Sequence, residues 1–354
     1  MLIRRAYKDT VRFLLQRENR PGTGRRLFMK ALSAHIRPGL MRPIASPMLA
    51  TVEVTRRCNL ACRHCRFIES HAATEHGEYL SELVRSISEA GFVGIGFTGG
   101  EPLILDDFER TVRLAVERGL ITHVNTNGTL ITPSRALRLL ESGLTSINIS
   151  LDGAGTASHD FLRGKGSFAK ALAGAEALVR ARARLCSGTR ILFVMRLCDT
   201  NASEVDALLS LADKTGVDGC SFLPLHDSVE LNSVRAPAHD AARAALQLAE
   251  CKGGMESMID NSAKYLRGMA RFFNSSPMPN RCSALHTSLY FSADHKLYPC
   301  VPSAMRSKNG IPFVPGELLN IFRSRSLSRC LDAQLCLGCW WNCHRELDIA
   351  LGVL

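Results

Sequence analysis

From Thr51 onward the chain alternates short runs of β-branched and apolar residues with longer stretches of helical periodicity, the pattern of a parallel sheet wrapped by helices. Strands are predicted over 51–55, 93–98, 121–126, 145–151, 190–197 and 220–225, with helices near 79–90, 105–118, 133–142, 167–183 and 202–215. Six βα repeats are too few to close an eight-stranded barrel. The expected fold is therefore α/β, an open (β/α)6 partial barrel of the TIM type, with functional loops at the carboxyl ends of its strands. The expected division is a basic helical extension over 1–48, the barrel over 49–236, a helical connection over 237–281, and a small cysteine-rich domain over 282–354. That last piece shows little periodicity, which points to metal rather than core burial as its organiser.

Composition narrows the class. The chain has 354 residues, 46% hydrophobic and 22% charged, enough to bury a sizeable core. No apolar run approaches the roughly 18 residues of a membrane span, and the N-terminus carries neither an unbroken apolar stretch nor a small-residue cleavage site. A cytoplasmic protein without a transmembrane segment is expected. Thirteen cysteines, an odd number, argue for metal or redox chemistry over a disulfide framework. Of the net charge of +11, residues 1–48 supply +9, from eleven basic and two acidic side chains. Such an arm suits an acidic partner, an anionic membrane surface or nucleic acid, and equally a solvated helical extension.

The first strand is followed directly by RRCNLACRHC, which places Cys58, Cys62 and Cys65 in one loop. Thiolates favour iron–sulfur clusters, zinc or Cu(I). Structural zinc takes four ligands, and no fourth is evident here. Three cysteines on a four-iron cube leave one iron open, as a catalytic metal requires. The same positions are also i, i+4 and i+7 of a helix, where cysteine packs as a small apolar residue, so spacing alone leaves zinc and a helix face open.

Further segments fall after successive strands: Thr98-Gly99-Gly100-Glu101-Pro102, Asn125-Thr126-Asn127-Gly128, Ser150-Leu151-Asp152-Gly153, and His159-Asp160-Phe161-Leu162-Arg163-Gly164 followed by Gly166-Ser167-Phe168. The two adjacent glycines let backbone approach a ligand closely. With the C-x-x-x-C-x-x-C loop, this order resembles the radical S-adenosylmethionine (SAM) superfamily over about residues 49–225. The resemblance implies a [4Fe-4S] cluster on Cys58, Cys62 and Cys65 whose open iron chelates the amino and carboxylate groups of SAM. Reductive cleavage would yield a 5′-deoxyadenosyl radical that abstracts hydrogen from a substrate. By the same resemblance Gly99, Gly100 and Glu101 lie at the methionine amino group, and Asn125, Asn127, Ser150 and Asp152 suit the ribose hydroxyls. Arg163 pairs with the SAM carboxylate, in a segment that resembles peptide- and cofactor-maturing members.

The C-terminal piece holds Cys282, Cys300, Cys330, Cys336, Cys339 and Cys343. It resembles the Twitch and SPASM auxiliary-cluster domains of that superfamily, which implies one auxiliary [4Fe-4S] cluster on Cys282, Cys300, Cys336 and Cys339. Cys343, and more weakly Cys330, compete for a ligand position, and a structural zinc knot is the alternative. Where that family usually has glycine, five residues before the second cysteine, this chain has His295. Trp340 and Trp341 are expected to shield the auxiliary cluster. Cys186, Cys198, Cys220 and Cys251 read as core or incidental thiols, and His226 and Asp227 as loop polars or substrate contacts.

The expected function is a radical SAM oxidoreductase or maturase acting on a peptide or a natural-product or cofactor precursor, with an external electron donor such as flavodoxin or ferredoxin. A small-metabolite dehydrogenase or epimerase is the alternative. An iron–sulfur electron carrier or zinc-bound interaction module stands outside catalysis altogether.

Overall fold

A computed structural model describes residues 48–65, 77–225, 238–251, 258–276, 287–306 and 309–323, together with 278, 282, 284, 339, 340, 345, 346, 348 and 349. The arm over 1–48 therefore lies outside the described residues except for Met48. The elements run β1 (Leu49–Thr55), α1 (Gly77–Glu89), β2 (Gly94–Gly99), α2 (Phe108–Glu117), β3 (Ile121–Thr126), α3 (Pro133–Glu141), β4 (Ser146–Ser150), α4 (Thr156–Arg163), α5 (Ser167–Leu185), β5 (Arg190–Leu197), α6 (Val205–Thr215) and β6 (Cys220–Pro224). There follow α7 (His239–Cys251), α8 (Ala263–Phe273), β7 (Ser288–Phe291), β8 (Lys296–Tyr298), α9 (Val301–Arg306), β9 (Ile311–Pro312) and α10 (Leu318–Arg323).

Strands β1 to β6 pair in parallel, each beside its predecessor, as right-handed βα units require. Their pleat sorts the residues. Val52, Val54, Ile95, Phe97, Val124, Ile147, Ile149, Phe193 and Met195 are buried in one core under the helices. The alternate positions, among them Thr98, His123, Asn125, Asn148, Ser150 and Arg196, are half-buried and line the concave side. There His123 Nε2 and Asn148 Nδ2 both reach Asn125 Oδ1, at 3.1 and 3.0 Å. This is the partial (β/α)6 barrel expected from the alternation.

Two features depart from the pattern. Helix α4 was not predicted: glycines at both ends, Gly155 and Gly164, confine it to the 8 residues Thr156–Arg163. The C-terminal piece also contributes strands rather than irregular chain. β7 pairs in parallel with β1, and β8 and β9 extend the sheet antiparallel, giving the order β6-β5-β4-β3-β2-β1-β7-β8-β9. All four residues of β7 are buried, and Leu289 and Phe291 join the main core, so apolar burial organises this hairpin. Its turn holds His295 in the left-handed region (φ 58°), where glycine would carry no strain. The imidazole is stacked on Tyr79 with ring centroids 3.8 Å apart.

Residues 339–340 dock on α8. Trp340 Nε1 donates to the Tyr265 carbonyl (2.9 Å) and the Tyr265 hydroxyl donates to the Trp340 carbonyl (3.2 Å). The indole occupies the space that a side chain at Gly268 would fill. This gives Trp340 an anchoring contact; Trp341 lies outside the described residues.

Candidate active site

The cysteine loop leaves the carboxyl end of β1 and is held from both neighbouring sides. The Thr55 carbonyl accepts from Gly100 N (2.7 Å) and the Arg57 carbonyl from Glu101 N (2.8 Å). A Cβ on Gly99, whose φ is +136°, would collide with the Thr55 carbonyl, and one on Gly100 with that of Arg57. The glycine pair therefore lets the end of β2 pack directly on the start of the cysteine loop, a requirement of the protein's own backbone. Cys58, Cys62 and Cys65 are half-buried free thiols. Burial pushes the Cys62 thiol up to about 11, with Cys65, Asp152 and Cys58 adding to the rise and Arg163 opposing it. Burial likewise raises Cys58. Such thiols reach the thiolate form by binding a metal cation.

Glu101 is fully buried, and three donors occupy its carboxylate: Leu103 N (3.0 Å) and the Thr126 hydroxyl (2.6 Å) on Oε1, and Asn127 N (2.7 Å) on Oε2. It staples the end of β2 to that of β3. Burial raises its pKa, while those three donors and Arg135 work against the rise. Asn127 in turn donates to Asn59 Oδ1 (2.9 Å) and lies 3.9 Å from Cys58 Sγ, while its own oxygen accepts from Thr129. Its amide thus braces the cysteine loop. Asn125 is engaged on the concave wall, as above. Ser150, at the end of β4, is half-buried, and its hydroxyl makes no hydrogen bond among the described residues.

Asp152 is wholly enclosed. Its Oδ2 accepts from Arg163 Nε at 2.5 Å and stands 3.7 Å from His64 Nε2, and its Oδ1 accepts from Arg196 N at 2.8 Å. Burial alone would raise this carboxyl, but Arg163, His64 and the hydrogen bonds outweigh it and hold it below the usual carboxylate range. Arg163, at the last position of α4, forms no other side-chain hydrogen bond or ion pair among the described residues, and its charge is felt by Cys62 and Cys65. Asp152 thus grips the guanidinium at Nε and leaves its terminal nitrogens without a partner among the described residues, while the Arg163 carbonyl lies 3.9 Å from Cys62 Sγ. The α4 backbone also supports the loop: Arg63 N donates to the Leu162 carbonyl (2.9 Å).

Sequence reading missed His64, which sits inside the cysteine loop and is buried against Asp152. Burial drives its pKa down to about 3, Asp152 opposing and Arg196, Arg163 and His159 assisting, so the ring is neutral at pH 7. Also missed were Thr126, which caps Glu101, and Asn201, whose amide ties the Asp152 and Arg196 carbonyls (2.9 Å each). His64 and Thr126 stand inside the quoted motifs, whereas Asn201 lies outside all of them.

Among the tail cysteines, Cys282, Cys300 and Cys339 are half-buried thiols; Cys330, Cys336 and Cys343, like His226 and Asp227, lie outside the described residues. Burial pushes Cys282 up to about 11, and Asp348, Arg345 and Cys339 are close enough to influence it. Arg345 donates to the Cys339 carbonyl (3.0 Å) and pairs with Asp348 (3.1 Å), both side chains buried. Of the remaining thiols, Cys220 is buried in the core, while Cys186 and Cys251 are exposed and Cys198 half-buried.

Comparison with known proteins agrees with this geometry. The model of the radical SAM superfamily matches residues 52–197. The chain is 41% identical over 127 residues to an AdoMet-dependent heme synthase of Nitratidesulfovibrio vulgaris, 34% of each protein. It is 28% identical over 322 residues to the mycofactocin maturase MftC of Mycobacterium tuberculosis, covering 85% of this chain and 77% of that protein. The alignment with the heme synthase thus spans only about a third of that relative's length. Streptococcus suis SuiB bound to S-adenosylmethionine shares the fold, with a TM-score of 0.66 at 16% identity over 83% of this chain and 72% of that one. The cysteine loop and the glycine-assisted contact behind it thus lie within the segment, residues 52–197, that matches the radical SAM superfamily.

Proposed function

We propose that the chain is an enzyme that cleaves SAM reductively at a [4Fe-4S] cluster on Cys58, Cys62 and Cys65 and oxidises or cross-links a precursor, either a peptide or another natural-product or cofactor intermediate. When bound, the cluster and SAM supply a 5′-deoxyadenosyl radical that takes hydrogen from a substrate C–H bond. The observation that carries the reading is the Arg163 fork, held at Nε by Asp152 with its terminal nitrogens unpartnered among the described residues and its carbonyl 3.9 Å from Cys62 Sγ. A carboxylate presented there would be gripped bidentately. Ser150 offers a hydroxyl for the ribose from the concave wall, whereas Glu101 and Asn127 act by bracing the loop.

The likeness to a maturase runs over most of the chain and favours a precursor as substrate. The higher identity to heme synthases over the core keeps a small metabolite or cofactor precursor as the second reading. For the tail we propose one auxiliary [4Fe-4S] cluster on Cys282, Cys300, Cys336 and Cys339, with Cys343 or Cys330 as substitutes; the closeness of Cys282 to Cys339 supports it. Reduction would come from a flavodoxin- or ferredoxin-type donor, and the basic arm would meet an acidic partner or an anionic surface. No described helix is long and apolar enough to cross a membrane.

Anaerobic reconstitution tests the reading. About eight irons per chain are expected, four of them lost in a Cys58→Ala, Cys62→Ala, Cys65→Ala variant. Reduced protein should convert SAM to 5′-deoxyadenosine and methionine. Zinc in the loop, with no 5′-deoxyadenosine formed, would overturn it in favour of a carrier or interaction module.

A further inference from the structure

Besides Arg163, the concave wall carries a guanidinium that meets no carboxylate among the described residues. On β5, Met195 and Leu197 are fully buried beneath the helices, so the pleat turns Arg196, between them, toward the barrel interior, where it is half-buried. Six other arginines are buried or half-buried among the described residues, and each meets a carboxylate: Arg56 with Glu53 and Asp294, Arg135 with Glu109, Arg163 with Asp152, Arg182 with Asp218, Arg190 with Asp260 and Arg345 with Asp348. Arg196 breaks that rule. Its backbone N–H and carbonyl bond to Asp152 and Asn201, but its side chain forms no hydrogen bond or ion pair among the described residues. Withdrawing a guanidinium from water without an anion is unfavourable, and a fold that pairs the other six invites the anion from outside.

The surroundings define that anion. The Arg196 backbone N–H bonds to Asp152 Oδ1 (2.8 Å), and the other oxygen of that carboxylate lies 3.7 Å from His64 Nε2, so a group bound at Arg196 lies next to the cysteine loop. Its partner in register on β6 is Leu223, and Val194 precedes it on the same face of β5, both half-buried. A charged fork flanked by aliphatic side chains suits a carboxylate borne on an apolar body. In the function proposed above the carboxylate of SAM is taken by Arg163, whose carbonyl lies 3.9 Å from Cys62 Sγ.

We propose that Arg196 is the substrate-anchoring residue of this barrel, and that the substrate presents a carboxylate on an apolar carbon framework, as a peptide C-terminus or a free organic acid would. The proposal rests on the function proposed above and adds the substrate class to it.

The test uses reconstituted enzyme saturated with SAM, with 3-phenylpropionate as the probe and 3-phenylpropionamide as its neutral control. Arginine labelling by p-hydroxyphenylglyoxal, read at Arg196 by peptide mass spectrometry, should slow about fivefold or more with the acid and not with the amide. Arg196→Gln should weaken binding of the acid about tenfold while changing SAM affinity less than about twofold. Protection of Arg196 by SAM alone, or about a tenfold loss of SAM affinity in Arg196→Gln, would assign the residue to the cofactor and overturn the proposal. Labelling unchanged by either probe would overturn it as well. Failure of the underlying reading is separate: the unmodified enzyme would then form no 5′-deoxyadenosine.

Discussion

Replacing Asp152 with Asn separates two roles for one carboxylate. As a ribose ligand it would matter only with SAM present; as the partner of Arg163 and His64 it matters to the apo-protein. Asparagine keeps the size but removes the charge, leaving the buried Arg163 guanidinium without its counter-ion. Breaking a buried pair from one side costs about 3–5 kcal/mol. For a domain of this size that lowers the melting temperature by roughly 6–20 °C. Because the folded protein holds the Asp152 carboxyl below its ordinary value, the stabilisation is complete above the unfolded value of about 4 and fades as pH falls through the folded one. Thermal melts of apo wild type and Asp152→Asn should therefore differ fully at pH 7 and converge in strong acid. Equal melting temperatures at pH 7 combined with weakened SAM binding would refute this reasoning and restore the carboxylate to the ribose.

His64, buried neutral with a pKa near 3, should make the fold lose stability as pH drops from about 6.5 toward 3, because the unfolded chain binds that proton first; His64→Gln should flatten this slope in denaturant titrations. Gly100→Ala should push the end of β2 off the Arg57 carbonyl and cost about 2 kcal/mol or more, seen as reduced iron retention by the cysteine loop after gel filtration. Glu101→Gln should destabilise the apo-protein by about 1–3 kcal/mol, since the amide presents donors to a pocket built of donors, measured by urea unfolding. Gly268→Ala should displace Trp340 and speed limited proteolysis of the C-terminal piece, while 5′-deoxyadenosine formation stays within about twofold of wild type.

The run of strands and helices was legible from Thr51 because each strand has one face under helices, and that face must be apolar at period two. The cysteine loop was legible for a different reason: metal chemistry restricts both residue type and spacing, and both survive in a linear string. Helix α4 was not legible, since glycine at each end of a polar eight-residue stretch reads as a loop. The same holds for β7, whose four residues, one of them Ser288, are too short a run to reveal a strand until β1 offers an edge.

Roles of the polar residues were decided only in three dimensions. Sequence could mark Glu101 and Asp152 as carboxylates at strand ends, but whether such a group faces a ligand depends on which donors surround it. Those donors come from 2 to 44 residues away: Leu103, Thr126 and Asn127 for Glu101, and Arg163 and Arg196 for Asp152. Once they close in, both carboxylates brace the loop that carries the cysteines. What a residue can do chemically is written in its type, whereas the partner that uses it up, or leaves it free as with Arg196, is set by chain segments that meet only when the barrel forms.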